Sequence, residues 1–195
     1  MRTARCGARR VSSIRFRLAG IILAGVAAAC TNPSTGSSSS APQSATLSPS
    51  AGAAFILQSA DLASGRWPAT ATCDGDDNPP DIRWTPGPSG TRAYALQLFD
   101  PDAPKGGFTH WMLANEPSEL RQPMPGTGIS GRNDFGREGY NGPCPPNGAT
   151  HHYVFTVYAL DSSLSLNPLY SHADFQRALQ SHVLAQATLT ATYSR

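Results

Sequence analysis

The sequence predicts a mainly β domain over residues 55–195, with one helix near its C-terminus and long Pro- and Gly-rich loops. Three observations carry this expectation. Residues 152–160, His-Tyr-Val-Phe-Thr-Val-Tyr-Ala-Leu, are β-branched or aromatic almost throughout, which suits a pleated, half-buried surface. Residues 93–99 are largely apolar without alternation, as a strand covered on both faces requires. Over residues 174–184 the period changes. Phe175, Ala178, Leu179, His182 and Val183 recur at three and four, the spacing of an amphipathic helix.

Taken in order, Phe55-Ile56-Leu57 opens the first strand-like run. Trp67-Pro68, residues 71–75 and Asn78-Pro79-Pro80 are turn punctuation, because proline fixes φ and glycine frees it. Ile82-Arg83-Trp84 is a short alternating strand. Pro86-Gly87-Pro88-Ser89-Gly90 turns the chain into the central strand at 93–99. Residues 109–114 form another strand. Pro117, Pro123, Pro125, Gly126, Gly128 and Gly131 then leave no room for a helix. After the strand at 152–160 and a loop at 161–168, Ser171 is placed to cap the helix. Asp174 sits in its first turn, where the dipole favours acids. Residues 187–193 alternate again and form a closing strand. No internal repeat is visible.

The N-terminus is of another kind. Arg2, Arg5, Arg9, Arg10, Arg15 and Arg17 form a basic segment without an acid, followed by an apolar run at 18–29 that ends at Cys30. That run is shorter than the ~20 residues a bilayer needs and matches the h-region of a signal peptide. Small residues directly before a cysteine resemble a bacterial lipobox, although Ala27 stands where Leu or Val is usual. The pattern implies cleavage before Cys30, lipidation of its thiol and attachment to the cell membrane or envelope, facing outside the cytoplasm. Plain cleavage near Ala29 and an uncleaved anchor are the alternatives. Residues 30–54, rich in Ser, Thr, Pro and Ala, have too little apolar surface to offset ordering entropy and read as a flexible tether. The expected organisation is therefore a leader at 1–29, a tether at 30–54 and a domain at 55–195.

Removing the leader reverses the charge. The whole chain carries 15 Lys and Arg against 13 Asp and Glu, a net +2; six of the basic residues lie in 1–29, so the remainder is nine against thirteen, or −4. No basic stripe is left to argue for nucleic acid. Cys6 leaves with the leader. Cys73 and Cys144 remain in an oxidising compartment, as a disulfide or as two buried thiols.

The chemistry concentrates in two proline-stiffened segments beside strand ends. One is Leu98-Phe99-Asp100-Pro101-Asp102-Ala103-Pro104 with His110-Trp111. The other is Gly142-Pro143-Cys144-Pro145-Pro146-Asn147-Gly148 with His151-His152-Tyr153. A carboxylate that accepts one imidazole N–H sets the tautomer and favours the charged ring, and two such rings can donate to an anion. The backbone of Gly106-Gly107 and of 139–142 could add N–H donors. Asp102 could equally close its own turn, and His110 could be a satisfied core residue. Strand alternation lets only one of His151 and His152 face a given side. His172 and His182 read as ordinary helix residues.

These segments resemble the two signatures of the phosphatidylethanolamine-binding protein family. Asp100-Pro101-Asp102-Ala103-Pro104 with His110-Trp111 is similar to the first. Residues 133–146, Asn-Asp-Phe-Gly-Arg-Glu-Gly-Tyr-Asn-Gly-Pro-Cys-Pro-Pro, followed by His151-His152-Tyr153, are similar to the second. Thr72-Cys73-Asp74-Gly75 and Asn78-Pro79-Pro80 match the bacterial, Raf-kinase-inhibitor-like branch. The resemblance implies a large antiparallel sheet packed on a smaller one, and a pocket for phosphate-like or carboxylate groups at one end of the sheet. By matching motif, Asp100, His110 and His151 line that pocket, Tyr153 contributes to its wall and Asp102 is a further ligand-binding candidate. His152 stands where the family has Arg. The first signature also implies a cis bond at Ala103-Pro104.

The function expected is a lipid-anchored binding protein for a small anion or phospholipid head group, without catalytic residues, metal or cofactor. A protease- or kinase-inhibiting module is the protein-binding alternative. A metal-dependent hydrolase, with His and Asp holding Zn²⁺, is the enzyme alternative. The latter lacks HExxH spacing and a recognisable Ser or Cys nucleophile. An inert surface lipoprotein with a relic pocket is the last.

Overall fold

The apolar run at the middle of the chain becomes the middle of a sheet. The computed structural model describes residues 53–195; the expected leader, Cys30 and nearly all of the tether lie outside the described residues. β1 (Leu57–Gln58) and β2 (Arg83–Trp84) make a two-stranded antiparallel sheet, with a short 3-10 turn at Ala69–Ala71 between them. β3 (Ala93–Asp100), β4 (Phe108–Pro117), β5 (Ile129–Ser130), β6 (Thr150–Leu160) and β7 (Val183–Ser194) form a five-stranded antiparallel sheet in the order β5-β4-β3-β6-β7. The helix α1 (His172–Leu179) lies between β6 and β7 in sequence.

Alternation along β3 supplies both faces of the large sheet with apolar groups. Tyr94, Leu96 and Leu98 join Trp111, Leu113, Phe155 and Val157, and on this face Leu57 and Trp84 of the small sheet complete the core. Ala93 and Ala95 face the other way, with Met112, Ala114 and Leu160, against Phe175 and Leu179 of α1. The continuous apolar run of β3 therefore has a cause: both of its faces are covered.

The helix is shorter and earlier than its apolar period suggests. Ser171 Oγ accepts from the Asp174 N–H at 3.2 Å while Asp174 accepts from the Ser171 N–H at 3.2 Å, a capping box that starts the helix at His172. It ends at Leu179 because Gln180 is extended, Ser181 takes φ 71°, and Val183 pairs with Leu160. Strand pairing outcompetes the helical period there. Val183, which the period assigned to the apolar helix face, is 38% exposed at the start of β7, and its neighbour Leu184 is 42% exposed.

Candidate functional site

β3 ends, and β4 and β6 begin, at the same end of the large sheet. The register places Asp100 opposite Phe108 and Phe99 opposite Val154, so the first residues of β6 come alongside the proline loop that follows β3. Asp100 is 3% exposed. Its Oδ1 accepts from the N–H groups of Asp102 at 2.9 Å and Ala103 at 3.1 Å, which closes the turn. Its Oδ2 lies 2.7 Å from His151 Nδ1. A carboxylate offers no hydrogen, so Nδ1 of His151 must donate, and Nε2 is left for the cavity.

His110 arrives from β4 in the same sense. Its Nδ1 lies 2.8 Å from the Asn141 carbonyl, which can only accept, so this ring too keeps Nε2 for a ligand. Burial holds its pKa below the ordinary histidine value, against the opposing pull of the Asn141 carbonyl and the Asp100 charge. The ring meets Tyr153 edge-on at 5.2 Å and Phe108 at 5.1 Å between centroids.

Both rings line a cavity of about 170 Å³, walled by Ala103 and Pro104 on the first proline loop and by Cys144, Pro145 and Pro146 on the second. Phe108 and Phe135 complete it, and Phe135 is 44% exposed at the mouth. At about 30 Å³ per liquid water this is room for a small oxyanion, not for an acyl chain. Among the described residues no Lys or Arg lines it, and Asp100 and the two imidazoles are the ionisable side chains that do.

The remaining site candidates lie elsewhere. Asp102 does not line the cavity. Its Oδ2 accepts from the His152 N–H at 2.7 Å and pairs with the His152 ring at 2.7 Å, both side chains being solvent-exposed. That backbone bond, with the ring beside it, holds the Asp102 carboxyl below the usual range. His152 is thus a partner of the loop after β3, on the side of β6 opposite to His151 and Tyr153. Tyr153 is buried behind the two imidazoles, stacked near His151 with centroids 6.4 Å apart. Its hydroxyl has no hydrogen-bond partner among the described residues, and burial, followed by the Asp100 charge, pushes its pKa well up. Cys30 lies outside the described residues. No cis peptide occurs among the described residues, so Ala103-Pro104 is trans, with the Asp100 carboxylate closing its turn.

Three N–H groups of the glycine loops serve the scaffold. The Gly142 N–H donates to Asp77 Oδ1 at 2.6 Å, the Asn141 N–H to the His110 carbonyl at 3.2 Å, and the Gly107 N–H to the Ala103 carbonyl at 3.1 Å. Gly142 runs so close to the Ala71 carbonyl that a Cβ would collide with it.

Of the residues that hold this loop, the sequence reading offered the Cys73–Cys144 disulfide as one of two alternatives and overlooked the roles of Asn133 and Asp77. The Asn133 side-chain amide donates to Gly139 O at 3.1 Å and Asn141 Oδ1 at 2.9 Å, while its carbonyl accepts from the N–H groups of Phe135 and Arg137. Asp77 accepts from the Asn141 side chain at 2.9 Å. Cys73 and Cys144 are bonded, with Cα atoms 5.4 Å apart, and the Cys73 N–H reaches Pro143 O at 3.2 Å. The segment around 71–77 thereby clamps the second proline loop from behind. Nothing in local spacing signals the Asp77 contacts, which join residues more than 60 positions apart. His172 is on the other face, where its Nε2 lies 3.0 Å from the Gln97 amide and 3.1 Å from that of Gln176. Among the described residues no three His, Cys, Asp or Glu side chains converge as metal ligands.

Comparison with known proteins agrees with this architecture. The family model described as "Phosphatidylethanolamine-binding protein" matches residues 58–194. A UPF0098 protein of Pyrococcus horikoshii is 42% identical over 139 residues, which cover 66% of this chain and 70% of that protein. A Mycobacterium tuberculosis protein named as a lipoprotein, LppC, is 36% identical over 131 residues, 65% of each chain. The crystal structure of Escherichia coli YbcL, titled a member of the mammalian PEBP family, superposes with a TM-score of 0.68 at 29% identity, covering 72% of this chain and 98% of that one. By sequence over almost the whole described region and by fold, the chain belongs to the phosphatidylethanolamine-binding protein family.

Proposed function

We propose that this protein is an exported, lipid-anchored binding protein whose cavity takes a small oxyanion, either free phosphate or the phosphate of a phospholipid head group. The observation that supports this reading best is the pair of imidazoles. His110 and His151 each spend Nδ1 on the scaffold and keep Nε2 for one small cavity. Protonated, the two rings donate to an anion; neutral, they accept from the hydroxyl of a protonated phosphate. Asp100 is already engaged by His151 and by two backbone N–H groups, so it orients a ring and is not free to act as a base.

Millimolar phosphate should shift the ring signals of both His110 and His151 in ¹H–¹⁵N NMR. Signals that stay in place at that concentration overturn the assignment. Lipid anchoring draws on the small residues before Cys30 and on the relative named as a lipoprotein. Among the described residues no helix is long and apolar enough to cross a membrane.

A further inference from the structure

The two edges of the large sheet differ in kind. β5 ends one side after two residues, too short to template another strand. β7 ends the other side with 12 residues, Val-Leu-Ala-Gln-Ala-Thr-Leu-Thr-Ala-Thr-Tyr-Ser, without a charge, a proline or a glycine. Edge strands are ordinarily blunted by charged side chains, proline, bulges or a cover.

The direction of its outer backbone groups follows from Thr192. The Thr192 N–H donates to Gly65 O at 2.9 Å, and its carbonyl accepts from the Trp67 N–H at 3.0 Å, so both point away from β6. The register with β6 is unbroken from Gln186 to Thr192, and the direction alternates residue by residue. Gln186, Thr188 and Thr190 therefore also turn N–H and C=O outward. Among the described residues nothing bonds to these groups, and all three residues are exposed.

We propose that this edge is a self-association surface, on which β7 pairs antiparallel with β7 of a second copy about a two-fold axis at Thr188. The open window is bounded at both ends. The segment of Gly65 and Trp67 occupies Thr192, and the register shift next to Ala159 displaces Leu184. Thr188 is the centre of what remains. A two-fold axis there sets Thr188 against Thr188 and Gln186 against Thr190, and every outward N–H meets a carbonyl. An isologous contact brings Thr188 against its own copy and repeats the Gln186–Thr190 pair on either side; a charge on the axis would meet itself, and this strand carries none. Exposed Val183 and Leu184 flank the window and extend the contact with apolar surface. The strand contact is short. Copies sharing a membrane through Cys30 would meet at a raised effective concentration; that clause rests on the anchoring proposed above, the pairing geometry does not.

The test uses the full chain in detergent, followed by sedimentation velocity over a concentration series and by amide exchange. Thr188→Lys sets two ammonium groups face to face. Thr188→Pro removes the central donor without costing a bond inside the sheet, because that N–H faces outward. The wild type should dimerise with protected amides at Gln186, Thr188 and Thr190. Both variants should be monomers at concentrations where the wild type is a dimer, with unchanged circular dichroism and unchanged phosphate-induced shifts. A wild-type monomer with fast-exchanging edge amides overturns the proposal. So does a monomer with protected amides, which would mean that the chain's own N-terminal segment covers the edge. A dimer that persists in both variants places the interface on another surface and equally overturns it.

Discussion

Asp100 and His110 show how position, more than residue type, assigns a role. Two aspartates stand one residue apart in the first proline loop, yet one is buried against His151 and the other exposed against His152. Asp100→Asn removes the carboxylate that holds the His151 ring through Nδ1 and should weaken phosphate binding about tenfold, as loss of a ring-orienting carboxylate does at metal-binding histidines. Asp102→Asn should change it less than about twofold, since exposed pairs contribute little. Calorimetric titration of both variants checks the contrast. His110 contributes to the pH dependence, in the same sense as His172, whose pKa burial also lowers. The folded pKa of His110 lies below the ordinary value of about 6.5, so the unfolded chain takes up the proton first as pH falls. Its contribution to stability should therefore decline as pH drops below about 6.5 and level off once both states are protonated. Phosphate affinity should run the opposite way, rising over the same window as the ring becomes a donor. Thermal melts and phosphate titrations between pH 7.5 and pH 5 read the two slopes, which should differ in sign.

Among the elements, the second proline loop depends most on remote contacts. It carries Cys144, Pro145 and Pro146 of the cavity wall, and it is held by a disulfide, by Asp77 and by Asn133. The disulfide closes a loop of 71 residues, for which chain entropy predicts a stabilisation of about 4 kcal/mol. Cys73→Ala/Cys144→Ala should lower the denaturation free energy by about 2–4 kcal/mol and weaken phosphate binding, because the wall loses its clamp. Urea titration with and without reductant gives the first quantity. If reduction leaves the midpoint of the wild type unmoved, the clamp contributes nothing. The strands were legible as strands because burial on one or both faces writes a period into them. The start of α1 was legible too, in Ser171 and Asp174 of its capping box; its end was not, because the pairing of Val183 with Leu160 decided it.

For the whole molecule, residues 30–195 are acidic in balance, the cavity between the two imidazoles is small, and the chain belongs to a family of binding proteins. The proposed lipid anchor would put that cavity outside the cytoplasmic membrane. Globomycin, which blocks lipoprotein signal cleavage, should make a larger precursor accumulate in the native host. Unchanged electrophoretic mobility would refute the lipid anchor at Cys30.

The sequence by itself determined the class of fold, the order of the long strands and the two loops that carry the chemistry, because periodicity and proline placement are local properties. Only the tertiary structure decided that Asp100, and not Asp102, orients His151. It alone committed the glycine-loop amides to Asp77 and neighbouring carbonyls, and it alone left β7 with an open edge. Each of these depends on which group lies opposite another across a sheet or between loops far apart in the chain, and hydrogen-bond partners at that separation leave no local pattern.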